Sequence, residues 1–158
     1  MLKYLLDTNI AIYVLKNKPA SAAIAFNREA GRLALSSISL AELLHGCEKS
    51  EFPQRNLARV EDFCSRLVVL SYDARAAAHY GNIRANLERK GTPIRVNDLH
   101  IAAHARSEGL VLVSNNLGEF ERVDGLLFEN WLSQPMEASK FRAQSNPSTS
   151  KRRPKKVW

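Results

Sequence analysis

The chain has 158 residues, of which 45% are hydrophobic and 25% charged, as expected for one globular domain with a sizeable core. It contains no apolar run of about 20 residues, so no membrane-spanning helix is expected, and its charged start argues against a signal peptide. Two cysteines, Cys47 and Cys64, match neither a CxxC nor a zinc spacing, which favours a cytoplasmic protein with reduced thiols.

The net charge of +7 is unevenly distributed along the chain. Residues 133–158 contain seven Lys or Arg and one acid, Glu137, whereas residues 1–132 contain sixteen Lys or Arg and fifteen acids. The segment 133–158 is also rich in Ser and Pro, so we expect a basic, disordered tail after a domain at 1–132.

The first half of the chain alternates short apolar stretches with helical patterns. A buried strand is predicted at residues 3–6, and Asp7, Thr8 or Asn9 can cap the helix that follows at 10–16. The next predicted elements are helix, strand, helix, helix and strand, at residues 22–29, 33–38, 39–45, 57–65 and 67–70.

The second half begins with a long alanine-rich helix predicted at residues 73–89. Asn97 can cap a further helix at 98–107, and the aliphatic run 110–113 is typical of a parallel strand buried on both faces. A short edge strand is predicted within 126–131. Strands separated by helices favour an α/β fold of three layers, with a central, mainly parallel sheet of four to five strands flanked by helices.

Three carboxylates, Asp7, Glu42 and Asp98, lie beside apolar stretches, where charge is rare unless it is paired or binds a metal. Asp7 follows the first strand, and Glu42 and Asp98 lie near helix starts, which is where open parallel sheets bind ligands. Such oxygen ligands suit Mg²⁺ or Mn²⁺, which activate water for phosphodiester hydrolysis. Glu119 and the polar residues Ser114 and Asn116 follow the fourth strand.

Each acid also has a purely structural explanation. Ser39 and Glu42 fit a capping box at a helix start, and Asp7 can serve as an N-cap. Asp98 can complement a helix dipole, and Glu119 can be a solvated turn residue. The functional interpretation therefore depends on whether the fold brings these acids together.

Other motifs predict less. His100 and His104 are four residues apart, but Ile101 stands where a metalloprotease helix needs Glu, so we expect them on a surface or partner-facing side. The chain contains no GxGxxG, Walker A or GxSxG motif.

Five stretches, in consistent order, resemble the VapC-type toxins, which are PIN-domain ribonucleases of bacterial toxin–antitoxin pairs. The first is Leu5-Leu6-Asp7-Thr8-Asn9. The others are residues 36–46, 91–94, 98–105 and 112–120. Two features depart from the family pattern: Asn116 stands where aspartate is frequent, and residues 133–158 have no counterpart.

The resemblance implies a PIN-like domain with a metal site of Asp7, Glu42 and Asp98, completed near Asn116 or Glu119. It implies Mg²⁺-dependent hydrolysis of RNA, with tRNA among the expected substrates. It also implies a VapB-type antitoxin that enters the cleft, and a homodimer. Asn9 and Ser114 are expected to be auxiliary polar residues of the site.

Two other function classes are compatible with the residues. A noncatalytic nucleic-acid-binding module would use the acids only as caps and bind phosphates through the basic tail, in a salt-dependent way. A receiver-like phosphoacceptor domain also gathers acids at strand ends, but the last strand of this chain is not followed by the expected lysine.

Overall fold

Five short strands form one all-parallel sheet in the computed structural model, which describes residues 1–132. The order across the sheet is β3-β2-β1-β4-β5, and every neighbouring pair is parallel. The expected α/β class and the central parallel sheet are therefore confirmed. The strands are β1 (Tyr4–Leu6), β2 (Leu33–Ser36), β3 (Val68–Leu70), β4 (Val111–Val113) and β5 (Phe128–Glu129).

Helices connect the strands and cover both faces of the sheet. None of the helices within residues 1–132 is long and apolar enough to cross a membrane. In chain order they are α1 (Thr8–Lys16), α2 (Ala20–Arg28), α3 (Ser37–Glu48), α4 (Pro53–Ser65), α5 (Ala74–Arg89), α6 (Val96–Glu108) and α7 (Leu117–Phe120).

The two faces of the sheet bury separate hydrophobic cores because successive side chains of a strand point in opposite directions. On β1, Tyr4 and Leu6 pack into the core that includes residues of α1–α4, such as Phe63. Leu5, between them, packs into the core formed with α5 and α6, which includes Ile83 and Leu99. Burial on both faces explains why β1 is continuously apolar.

Several element boundaries differ from the sequence prediction. β2 ends at Ser36, whose backbone is extended. The Ser36 side-chain oxygen caps α3 by accepting the Ile38 N–H at 3.1 Å. The predicted cap at Asn97 is wrong, because α6 begins at Val96 after an extended Arg95. Pro53 occupies the first turn of α4, so this helix begins before the predicted residue 57. The predicted tail at 133–158 lies outside the described residues.

The strand order places a topological switch point at β1. From β1 the chain proceeds to β2 and β3 on one side and later returns to β4 on the other. Loops that leave β1 and β4 therefore diverge and open a crevice at the carboxyl ends of these strands, where α/β sheets bind ligands. Asp7 directly follows β1, and Ser114 directly follows β4.

Candidate active site

Asp7 lies at the switch point and is almost completely buried, with 4% of its surface exposed. Its carboxylate accepts the Thr8 N–H at 2.7 Å and the Ser114 hydroxyl at 2.8 Å. The Ser114 oxygen in turn accepts the Asn116 N–H at 3.0 Å. Asp7 is the N-cap of α1, as the structural explanation predicted, and it also faces the crevice. The capping and site interpretations are thus compatible.

Glu42 projects from α3 toward the same crevice. Its Oε1 lies 3.2 Å from the Thr8 hydroxyl, which also lies 2.9 Å from the buried Ser39 hydroxyl. Ser39 lies inside α3, so the predicted capping box of Ser39 and Glu42 is wrong. Ser36 caps this helix instead, and Glu42 lines the crevice wall.

Asp98 and Glu119 form the opposite acidic pair. Asp98 lies in the first turn of α6, and its side chain hydrogen-bonds to that of Glu119 in α7. The Asn116 amide lies 3.5 Å from Asp98. The exposed Arg95 guanidinium lies 4.0 Å from Asp98 and 3.7 Å from Glu119. Glu119 Oε2 is buried and has no hydrogen-bond partner among residues 1–132.

Burial and like charge raise the pKa values of the two aspartates. The pKa of Asp98 rises from its ordinary 3.8 to about 7, first through burial, then through its contact with Glu119 and the negative charge of Asp7. Burial also raises the pKa of Asp7, although hydrogen bonds from Ser114 and Thr8 oppose the shift. The hydrogen bond from Asp98 lowers the pKa of Glu119, so Asp98 is the member of this pair that keeps the proton.

These side chains surround an open cleft of about 400 Å³, hereafter the acid cleft. Its wall includes Asp7, Glu42 and Asp98, together with Thr8, Asn9 and Arg95. Within the described chain, no three His, Cys, Asp or Glu side chains are close enough as they stand to hold one metal ion.

The side chains of the acid cleft nevertheless fit a divalent cation. The acids offer carboxylate oxygens, which Mg²⁺ prefers as ligands. Burial and then neighbouring negative charge keep Asp98 partly protonated near pH 7, and a buried Glu119 oxygen lacks a partner within residues 1–132. A bound cation would remove both of these costs.

The fold thus brings together every residue that sequence predicted for the site: Asp7, Asn9, Glu42, Asp98, Ser114, Asn116 and Glu119. Sequence analysis missed Thr8, which connects Asp7 with Glu42, and Arg95, which contacts two acids. Arg95 stands three residues before Asp98 at a helix start, a spacing that brings opposite charges together and could have indicated it.

Neither histidine of α6 is fully exposed, which corrects the expected surface position. His104 is completely buried and contacts the Ser36 hydroxyl through Nδ1 at 2.7 Å. His100 is half-buried, contacts the Tyr72 hydroxyl at 2.8 Å and stacks on Tyr80 with ring centroids 4.3 Å apart. Aromatic rings from neighbouring segments therefore cover this face of α6.

Comparison with known proteins gives consistent results. The family model described as PIN domain matches residues 4–126. Ribonuclease VapC2 of Haemophilus influenzae (strain KW20 / Rd) is 60% identical over 132 residues, which are 84% of this chain and 100% of the relative. The tRNA(fMet)-specific endonuclease VapC of Shigella flexneri is 56% identical over 131 residues, or 83% and 99% of the two chains.

Solved structures show the same likeness. DNA-bound VapBC from Salmonella typhimurium superimposes with a TM-score of 0.79 at 56% identity, covering 83% of this chain and 99% of that chain. VapBC2 from Rickettsia felis, bound to a promoter DNA fragment, gives a TM-score of 0.77 at 39% identity, covering 82% of this chain and 99% of that chain. Together with the acid cleft at the switch point, these matches establish that the chain belongs to the PIN-domain family and, within it, to the VapC ribonucleases.

Proposed function

We propose that this chain is a metal-dependent endoribonuclease that hydrolyses RNA phosphodiester bonds in the acid cleft. The observation that supports this most strongly is the convergence of Asp7, Glu42 and Asp98 on one cleft at the switch point. Asp7, Asp98 and Glu42 are the proposed ligands of Mg²⁺, which Mn²⁺ can replace. Glu119, through its hydrogen bond to Asp98, is the proposed fourth acid of the site.

The surrounding side chains have distinct proposed roles. Bound Mg²⁺ supplies the positive charge that activates water and stabilises the phosphate in the transition state. Ser114 and Thr8 hold the Asp7 carboxylate in one orientation by donating hydrogen bonds to its two oxygens. Glu42, which lies 3.2 Å from the Thr8 hydroxyl, has two alternative roles: it binds the metal, or it helps to activate the attacking water by accepting its proton. The product is expected to have a 5′-phosphate and a 3′-hydroxyl.

The biological role follows from the family. We propose that the chain is the toxin of a type II toxin–antitoxin pair and acts in the cytoplasm. The Shigella flexneri relative is named a tRNA(fMet)-specific endonuclease, which supports tRNA as the substrate class. The solved relatives are named VapBC complexes, which supports a VapB-type antitoxin as the partner of this chain. A homodimer is proposed from the same resemblance.

The test is a Mg²⁺ titration of RNA cleavage by the wild-type chain and by Asp98→Asn. Wild type should cut RNA only above a threshold Mg²⁺ concentration and stop in EDTA, whereas Asp98→Asn should need far more metal or fail to cut. Cleavage by Asp98→Asn at the wild-type rate and Mg²⁺ dependence would refute the assigned site.

The noncatalytic alternative makes a different prediction. If the acids only cap helices, wild type should bind RNA without metal and cut nothing. In that case a variant that ends at residue 132 should lose most of its RNA affinity, because the alternative attributes binding to the basic tail. The proposed nuclease should instead remain active after this truncation.

A further inference from the structure

Two helix faces form a trough that leads away from the acid cleft. On α1, Thr8, Ile12 and Lys16 are spaced by four residues and therefore share one face. Thr8 lines the acid cleft, whereas Lys16 lies about 12 Å further along the helix axis. The face of α1 therefore changes from the acidic site at its start to a lysine at its end.

The corresponding face of α3 forms the other side of this trough. Glu42, His45 and Lys49 are spaced by three and four residues, so they also line up along their helix. These residues and Ile12 line a second cavity, of about 260 Å³, which shares Glu42 and Thr8 with the acid cleft. The two cavities are therefore neighbours that share part of their walls, and Lys49 lines the second one.

A third cavity, of about 360 Å³, lies at the end of α1 and beside the start of α4. We call it the basic groove; its lining includes Lys16, Lys18, Phe52, Arg55 and Arg59. Glu51 is the one acid on its wall among the described residues. Four cations against one acid give the groove a net positive charge, although residues 1–132 as a whole are almost neutral.

The cations of this groove are available to a ligand. Lys16, Lys18 and Arg55 are exposed and form no ion pair with any residue in the part of the chain that the structure describes. Arg59 is held in place by its hydrogen bond to the Leu15 carbonyl at the end of α1. The groove thus combines one hydrogen-bonded cation, Arg59, with three cations that form no ion pair within the described residues.

An exposed aromatic ring lies among these charges. Phe52 is 52% exposed, and the Arg55 guanidinium lies 4.8 Å from its ring centroid. Exposed aromatic faces beside cations are the arrangement on which single-stranded nucleic acids stack their bases while their phosphates contact Lys and Arg. An acidic peptide would use the cations but has no need of an exposed phenyl face.

We propose that the basic groove binds backbone phosphates of the RNA substrate at a distance from the scissile bond, with Phe52 stacking on an unpaired base. This inference rests on the proposed ribonuclease function. The face of α1 gives the direction of the path, because Ile12 lines the trough and Lys16, one turn further along the helix, lines the groove. The groove therefore favours RNA strands long enough to reach it over strands that fill the cleft alone.

The test compares two double variants of the full chain that lose the same charge. Lys16→Gln with Arg55→Gln removes two groove cations, and Arg89→Gln with Lys90→Gln removes two cations from the exposed end of α5. Lys16 and Arg89 are matched, since each lies in the last turn of its helix. Binding of fluorescent single-stranded RNA of about 4 and about 16 nucleotides is measured in EDTA, so that the RNA stays intact.

The groove variant should bind the longer RNA about 3- to 10-fold more weakly than wild type, and its salt dependence should fall by about 0.7 per lost phosphate contact. The α5 variant should match wild type. Equal affinities and equal salt slopes for the two variants would overturn the proposal. So would an intact RNA affinity in a groove variant that no longer binds a polyglutamate peptide, because the groove would then be a protein-binding site.

Failure of this proposal can be told apart from failure of the ribonuclease assignment. If wild type cuts RNA with Mg²⁺ but the groove variant binds RNA normally, only the groove assignment is wrong. If wild type binds RNA through the groove but never cuts it, the ribonuclease assignment is wrong and the groove assignment stands. Residues 133–158 are present in every protein compared, so their contribution to affinity is constant.

Discussion

Helix α6 contributes to two buried polar regions that differ in chemistry. Near its start, Asp98 lines the acid cleft with Asp7 and contacts Glu119. Two and six residues later, His100 and His104 belong to a histidine cluster, which also includes Ser36, Tyr72 and Tyr80. Burial disfavours charge in both regions: it raises the pKa of Asp98 and lowers the pKa values of both histidines.

The two regions differ in charge and in access to solvent. In the histidine cluster, the neutral His100 and His104 each share a hydrogen bond with a hydroxyl, although His104 Nε2 is buried without a partner among residues 1–132. The acids converge on an open cleft and retain excess negative charge, which Arg95 and the proton of Asp98 reduce in part. An open cleft with excess charge therefore identifies the functional site better than burial or a single unsatisfied atom does.

The largest expected effect is the loss of activity in Asp98→Asn. Cleavage of RNA should fall by at least about 10²–10³-fold, because the variant loses a proposed ligand of the Mg²⁺ that would stabilise the transition state. The free energy of unfolding of the metal-free protein should stay the same or rise, because the variant lacks a carboxylate that burial destabilises. Cleavage assays and urea denaturation measure the two effects; a loss of both activity and stability would mean that Asp98 is structural.

His104→Ala should give the opposite combination, a loss of stability with unchanged activity. It leaves a cavity against Tyr72 and removes the hydrogen bond to Ser36, so the free energy of unfolding should fall by about 2–4 kcal/mol. The remaining folded protein should cut RNA at the wild-type rate per folded molecule. His100→Ala, at a half-buried position, is the control and should lower the free energy of unfolding by less than His104→Ala does. A His104→Ala variant that is fully stable but inactive would contradict the comparison.

The pH dependence of stability should also separate the two regions. The raised pKa of Asp98 stabilises the fold below pH 3.8, and this contribution is lost as the pH rises through about 7. The lowered histidine pKa values act in the opposite direction: their contribution is complete above pH 6.5 and is lost as the pH falls from 6.5 through the folded-state pKa values. The stability of Asp98→Asn relative to metal-free wild type should therefore increase by about 1–2 kcal/mol from pH 5 to pH 8. Urea denaturation across this range measures it, and a constant difference would contradict the assigned titration.

A smaller effect on stability and on Mg²⁺ affinity is expected from Asn116→Asp, which adds the acid that the family often has in this turn. The new carboxylate would lie beside Asp98, where the Asn116 amide is now 3.5 Å away. Repulsion should lower the stability of the metal-free protein, and Mg²⁺ should bind a few-fold more tightly. Asn116→Ala is the control for simple loss of the amide. Unchanged Mg²⁺ affinity in Asn116→Asp would show that position 116 lies outside the ligand set.

Sequence predicts the parts of the site that local patterns determine. Asp7 and Ser114 follow continuous apolar strands, and parallel strands must bring their carboxyl ends to one edge. The predicted start of α3 at residue 39 was wrong because Ser36, Ser37 and Ser39 are all able to cap a helix. Only the pairing of Ser36 with Leu70 in the sheet decides between them.

Contacts between distant segments could not be predicted in the same way. The polar spacing of His100 and His104 is compatible with an exposed helix face. Tyr72 and Tyr80, which cover them, are brought there by the packing of α5 against α6. The partnership of Asp98 with Glu119 likewise depends on the short α7, which no periodic pattern indicated.

The most direct test of the acid cleft is calorimetric titration of Mg²⁺ into the metal-free chain at pH 6 and pH 8, in buffers of different ionisation enthalpy. We predict that binding at pH 6 releases about one proton, since Asp98 is then protonated, and that binding at pH 8 releases almost none. In Asp98→Asn the proton release should disappear and the affinity should fall. If wild type binds no Mg²⁺, or binds it with the same affinity and proton release as Asp98→Asn, the acid cleft is not the metal site.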